Sequence, residues 1–160
     1  MDIRLGNGFD VHAIGQGDHV TLCGITIPCG FSLIGHSDAD VGLHAITDAI
    51  LGALCLGDIG QHFPPTDPRW KGADSCQFLK HAAQLAQNKN YRINHIDVTI
   101  IGEAPKVSPH RETMRQKISQ ILEIAQEHIS VKATTTEKLG FTGRGEGVAA
   151  LATATLIKQL

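Results

Sequence analysis

The chain has 160 residues, 42% of them hydrophobic and 19% charged, and its 14 basic and 16 acidic side chains leave a formal net charge of -2. That length supports one domain with a buried core. The near-balanced charge, without a basic block, excludes nucleic acid as the main partner, and no apolar run is long enough to cross a bilayer. The first residues carry no basic-then-apolar signal pattern, so a cytoplasmic protein with no membrane partner is expected. Cys23, Cys29, Cys55 and Cys76 form no Cys-x-x-Cys pair and read as reduced thiols.

Ile3 to His12 reads as a strand, and within Gly8-Phe-Asp-Val-His12 the Asp10 carboxylate and His12 imidazole share one face. Val20 to Pro28 reads as a hairpin or two short strands bending at Gly24. His36-Ser-Asp-Ala-Asp-Val-Gly-Leu-His-Ala-Ile-Thr-Asp48 then opens a helix, with Ser37 as candidate N-cap. At i, i+4 and i+8, Asp40, His44 and Asp48 are expected on one of its faces. Val41, Leu43, Ile46, Ala49, Ile50 and Leu54 supply its apolar faces, and it should stop near Gly57. Prolines at 64, 65 and 68 and glycines at 60 and 72 exclude regular structure over 58–75. Phe63 and Trp70 are expected to anchor that stretch as an ordered loop. Asp74 or Ser75 caps a second helix whose stripe is Phe78, Leu79, Ala82, Leu85 and Ala86, ending at Asn88 to Asn90.

His95 to Ile101 is a strand dominated by β-branched residues. After the loop Gly102 to Pro109, Met114, Ile118, Ile121, Leu122 and Ala125 mark a third helix. With Val131 to Thr136 as the next strand, these elements form a parallel crossover unit. In Val148 to Ile157 the alanines favour helix, while Thr153, Thr155 and the preceding Gly147 favour strand; we read it as a strand. The expected fold is α+β, a single domain over residues 1–160, with a mixed β-sheet and about three helices on one face.

Two stretches carry chemistry. Asp10 and His12 on a strand, with His44 on a helix, supply three ligands of the kind that hold a catalytic zinc ion and leave its fourth position open. The alternative is a solvated helix face with a chance histidine. Between the last two strands, glycines at 140, 143, 145 and 147 surround Arg144 and Glu146. This segment lacks the Lys-Ser/Thr ending and the helix of a P-loop, so a phosphate cradle and a flexible connection both stay open.

Together, Gly8-Phe-Asp-Val-His12, His36-Ser-Asp-Ala-Asp40 with His44 and Asp48, Gly57-Asp-Ile-Gly60, Phe63-Pro64 with Thr66-Asp67, Ala104-Pro-Lys106 and Thr134-Thr-Thr-Glu-Lys-Leu-Gly-Phe-Thr-Gly-Arg-Gly-Glu-Gly147 resemble the 2-C-methyl-D-erythritol 2,4-cyclodiphosphate synthase family. The resemblance runs in order over nearly the whole chain. It implies a lyase of non-mevalonate isoprenoid biosynthesis. Such an enzyme closes 4-diphosphocytidyl-2-C-methyl-D-erythritol 2-phosphate into 2-C-methyl-D-erythritol 2,4-cyclodiphosphate and expels CMP.

The resemblance also implies roles. Asp10, His12 and His44 would hold one zinc per chain, and Glu137 a magnesium or manganese ion on the substrate diphosphate. His36 and Thr135 would stabilise the transferring phosphoryl group. Asp10, Val11, His12, His36 and Ser37 would touch substrate. Asp58, Ile59 and Gly60, with Phe63, Pro64, Pro65, Thr66 and Asp67, would receive its methylerythritol portion. Gly102, Glu103, Ala104, Pro105, Lys106, Val107 and Ser108 would form the cytidine pocket with Ala133, Thr134, Thr135 and Thr136. Glu137, Phe141 and Arg144 complete the implied contacts, and Asp48 would hold a zinc-bound histidine. The implied assembly is a homotrimer with sites between subunits. Phe9, Phe141, Arg144 and Glu146 would line its central cavity, where an isoprenoid diphosphate binds. Pro65 stands where the family usually has an aspartate, and Val107-Ser108 replaces a bulkier apolar pair. Rival readings are a metal-dependent phosphodiesterase and a non-catalytic nucleotide- or isoprenoid-binding regulator.

Overall fold

Strand β1 (Ile3–Gly15) and strand β7 (Gly147–Lys158) lie antiparallel, from Ile3 opposite Ile157 to Ala13 opposite Gly147. In the computed structural model, which describes residues 1–159, they form the centre of a five-stranded sheet of order β4-β1-β7-β5-β6. Strand β4 (Ser32–Ile34) pairs antiparallel with the end of β1, and β5 (Tyr91–Ile101) antiparallel with β7. Strand β6 (Ile129–Thr134) runs parallel to β5, and helix α4 (Arg111–Leu122) makes the crossover between them. Strands β2 (His19–Leu22) and β3 (Ile25–Pro28) form a separate hairpin. Its turn residues, Cys23 and Gly24, both have positive φ, 50° and 80°, as the tight hairpin turns require.

Helices α1 (Val41–Ala53), α3 (Cys76–Asn88) and α4 pack on one face of this sheet. The α+β expectation is borne out, and the strand reading of residues 148–157 with it. Ala150, Ala152, Ala154 and Leu156 are buried at alternate positions of β7, as are Ile96, Val98 and Ile100 of β5. The alanines that suggested a helix are instead the small side chains that let α1 lie close to the sheet. Beneath α1, β1 carries no side chain at all at two positions. A Cβ on Gly6 would stand 1.9 Å from the Ala49 carbonyl oxygen, and one on Gly8 would stand 1.8 Å from that of Ala45. Asp10 and His12 continue the same parity along β1 and so point to the side where α1 sits.

Five expectations need correction. Asp40 is not on the helix face with His44 and Asp48: it is the N-cap of α1, and its Oδ1 accepts the Leu43 N–H at 3.0 Å. Ser37 therefore caps nothing, and α1 ends at Ala53, before Gly57. The stretch 58–75 does contain regular structure: α2 (Ile59–His62) and a 3-10 turn at Pro68–Trp70. Each is opened by an aspartate whose side chain accepts a first-turn N–H, Asp58 from Gln61 and Asp67 from Arg69, and Pro68 fills a first-turn position where no donor is missed. The glycine-rich connection contains the single turn α5 (Gly140–Gly143). Smaller shifts affect three ends: β5 begins at Tyr91, α4 at Arg111, and Ala125 falls beyond α4.

Candidate metal and substrate site

The sheet and α1 bring together what lay far apart in sequence. Oδ2 of Asp10 is 2.9 Å from His44 Nδ1 and 3.0 Å from His12 Nε2, and the two ring nitrogens are 3.2 Å apart. A tetrahedral ion bonded at about 2.0–2.1 Å sets its ligand atoms roughly 3.3 Å apart, so this triad fits a zinc-sized cation. Donor chemistry agrees, with two imidazoles and one carboxylate on the group. His12 Nδ1 donates to the Ile34 carbonyl of β4 at 2.9 Å. A carbonyl can only accept, so Nδ1 keeps a proton, and Nε2 is the nitrogen that can donate to Asp10 when protonated and offer its lone pair to a cation when not. Burial would raise the Asp10 carboxyl, but hydrogen bonds from His12 and His44 prevail and hold it at about 2. Burial likewise opposes charge on His12, yet the Asp10 carboxylate raises it above its ordinary value.

The triad opens into a cavity of about 210 Å³ walled by His36, Ser37, Ile59, Gly60, Phe63 and Pro65, with Trp70 and Phe78. Of the residues expected around the methylerythritol portion, Asp58, Pro64, Thr66 and Asp67 are not among its walls. Asp67 is engaged by Arg69 at 2.6 Å, while its carbonyl oxygen accepts from His36 Nε2 at 3.3 Å. A second cavity, of about 380 Å³, is walled by Gly102, Glu103, Pro105, Lys106, Val107 and Ser108 with Ala133, Thr134 and Thr135. That is nearly the set expected to hold cytidine, without Ala104 and Thr136. The walls of the two cavities share no residue. Thr135 Oγ1 donates to Glu137 Oε1 at 3.3 Å, and the Arg144 guanidinium pairs with Glu146 at 2.8 Å. Phe9 and Phe141 are exposed.

Asp48 does not support a histidine. Its Oδ1 accepts the Ile59 N–H at 2.7 Å and so ties α1 to the start of α2. The sequence marks Trp70 only as an anchor and Phe78 only as a core residue, and it does not single out Arg111, which also lines the second cavity. Periodicity could not reveal Phe78, because a wall of a cavity and a wall of the core look alike at helical spacing. Arg111 did leave a signal: a cation at the first position of α4 opposes the helix dipole, so its placement there calls for another partner.

The YgbB family model matches residues 3–157, and the chain belongs to that family. It is 63% identical over 158 residues to the 2-C-methyl-D-erythritol 2,4-cyclodiphosphate synthase of Roseobacter denitrificans, covering 99% of both. It is equally similar, at 63%, to the bifunctional enzyme IspD/IspF of Paracoccus denitrificans, of which it covers 42%. The chain thus spans about two-fifths of the bifunctional relatives it matches and almost all of the shorter one. Among solved structures, the Plasmodium falciparum IspF complex with CDP superposes with a TM-score of 0.88 at 38% identity, over 99% of this chain and 97% of that one. The bifunctional IspDF of Campylobacter jejuni gives 0.93 at 42% identity, over 97% of this chain and 42% of its own.

Proposed function

We propose that the chain converts 4-diphosphocytidyl-2-C-methyl-D-erythritol 2-phosphate into 2-C-methyl-D-erythritol 2,4-cyclodiphosphate and CMP. The observation that carries this reading is the convergence of Asp10, His12 and His44 beside a cavity, in a chain of this family. An oxygen of the 2-phosphate forms a bond to the β-phosphorus. The bond from that phosphorus to the oxygen it shares with the α-phosphorus breaks, and CMP departs with that oxygen and the electron pair. Both reacting partners are anionic, so charge neutralisation and alignment dominate the barrier.

Asp10, His12 and His44 hold zinc, and Glu137 holds magnesium or manganese. When bound, these cations neutralise phosphate oxygens and draw electron density from phosphorus. His36, at the cavity wall, and Thr135 orient the transferring group. Lys106 meets the diphosphate beside the cytidine pocket, and the aromatic walls Phe63, Trp70 and Phe78 exclude water. Four free cysteines suit a reducing compartment, in keeping with cytoplasmic action. A homotrimer is supported by the exposed apolar side chains on the sheet face opposite the helices, and by the separation of the two cavities within one chain. On that reading Phe9, Phe141, Arg144 and Glu146 meet their counterparts at the threefold axis and can take an isoprenoid diphosphate.

Two measurements on purified protein test the proposal. The substrate should yield CMP and the cyclic diphosphate, whereas a phosphodiesterase would hydrolyse simple nucleotide diesters and a regulator would release nothing. Elemental analysis should find one zinc per chain in the wild type and little in His44→Ala, because each ligand supplies a large share of binding at a three-ligand site. Equal zinc in both proteins would remove the metal from this triad.

A further inference from the structure

We infer that Ser75 and Asp38 form a directional hydrogen-bond relay behind His44 that fixes its ring for metal binding, which makes both of them positioning residues. The inference rests on the proposal that Asp10, His12 and His44 hold zinc. It begins with the tautomer of His44. Nδ1 is the nitrogen facing Asp10 and His12, so Nδ1 must offer the lone pair and Nε2 must carry the proton. Nε2 lies 2.7 Å from Ser75 Oγ and 3.2 Å from Ser37 Oγ. The shorter contact goes to the serine with no exposed surface.

A serine hydroxyl has one proton. Having accepted from His44, Ser75 Oγ must donate its own, and its neighbour is Asp38 Oδ1. The opposite polarity would put the proton of His44 on Nδ1, against the cation, and turn a bare hydroxyl oxygen toward a carboxylate. The direction of both bonds is therefore set by chemistry. Asp38 is itself held: Oδ2 accepts the Ser75 N–H at 3.0 Å, Oδ1 accepts the Asp40 N–H at 3.1 Å, and its own N–H donates to the Ala73 carbonyl at 3.1 Å.

A further observation shows that Ser75 is set aside for this purpose. It occupies the N-cap position of α3, where a serine ordinarily accepts an N–H of the first turn, yet its side chain makes no capping bond. Asp74 takes the Cys76 N–H instead, at 2.8 Å. The capping duty has moved to the neighbouring residue, and the hydroxyl of Ser75 is left to His44. Outer partners of this kind lock a ligating ring in one tautomer and orientation and make it a stronger donor.

The test is a zinc titration against a competing chelator, with thermal unfolding of each metal-free protein alongside. Ser75→Ala keeps the backbone N–H that Asp38 holds and removes no cap, so the metal-free protein should unfold within a few degrees of wild type. Its zinc affinity should fall by about 10–100-fold. Ser75→Thr, which retains the hydroxyl, should recover most of that loss. Asp38→Asn should also weaken zinc, and the double variant should lose no more than the worse single one, since both lesions break one chain of bonds. Zinc affinity of Ser75→Ala within twofold of wild type overturns the relay, and so does a loss that merely tracks lost stability of the metal-free protein. Should Ser75→Ala fail to fold, unchanged zinc affinity in Asp38→Asn overturns it equally. Full zinc in His44→Ala would instead refute the proposed metal site, an outcome distinct from failure of the relay alone.

Discussion

Asp40 has no exposed surface, yet its carboxyl accepts three backbone N–H groups: from Cys23 at 2.8 Å, Gly24 at 2.7 Å and Leu43 at 3.0 Å. One side chain thereby joins the turn of the β2–β3 hairpin to the start of α1, and so sets where His44 stands. Burial outweighs these bonds and pushes its carboxyl up to about 6. The folded value exceeds the unfolded one, so between pH 4 and 6 the folded protein binds more protons, and the stability Asp40 contributes falls as pH rises through that window. Asp40→Asn does not titrate, and its amide would turn a donor toward one of the three N–H groups. We expect the variant to be less stable than wild type at pH 4, and the gap to shrink between pH 4 and 7 by on the order of 2–3 kcal/mol at most. Denaturant unfolding of both proteins across that range measures it; a gap that does not change with pH would contradict the raised carboxyl. At helical spacing Asp40 looked like a third member of the His44 and Asp48 face. A cap is betrayed by where the helix starts, and the start is what hydrophobic periodicity locates least well.

Helix α1 reaches the sheet through missing side chains. A Cβ on Gly8 would come within 1.8 Å of the Ala45 carbonyl oxygen and one on Gly6 within 1.9 Å of that of Ala49, so the helix backbone rests on the strand backbone, and His44 is carried to Asp10 and His12 by that close approach. Gly8→Ala forces the two elements apart. Overpacking of this kind costs about 1–3 kcal/mol, occasionally more, and we expect at least the upper half of that range together with weakened zinc binding, since Ala45 follows His44 directly. A Gly8→Ala protein with wild-type unfolding midpoint and zinc affinity would show that α1 is not seated in this way. Elements with a repeating pattern were legible in the sequence: β5 through Ile96, Val98 and Ile100, α3 through Phe78, Leu79 and Ala82, and the parity of Asp10 with His12. Elements set by a single capping bond were not. Short α2 and the turn at Pro68 depend on Asp58 and Asp67, which carry no periodicity, and the link from His44 to Ser75 spans 31 residues, a separation no local pattern encodes.

The face of the sheet opposite the helices exposes Ile3, Leu5, Phe9, Val11 and Leu151, with Leu5 at 63% and Phe9 at 56% of their full accessibility. The three long helices α1, α3 and α4 all pack on the other side, and an apolar patch of this kind calls for a partner. A cyclic trimer would bury it around one axis and repeat a single heterologous contact three times, with each interface joining different parts of neighbouring chains. The two cavities, separate within a chain, would then be halves of one site: the zinc half from Asp10, His12 and His44, the cytidine half from Lys106 and Thr135 of the next subunit. His12→Ala and Lys106→Ala proteins should each be nearly inactive, because every site in either trimer has one damaged half. Unfolded together and reassembled, they should regain activity well above the sum of the two, because some interfaces join an intact zinc half to an intact cytidine half while others collect both lesions. Mass measurement identifies the mixed trimers. Activity that stays at the sum in their presence would place the whole site within one chain and leave the open sheet face with some other role.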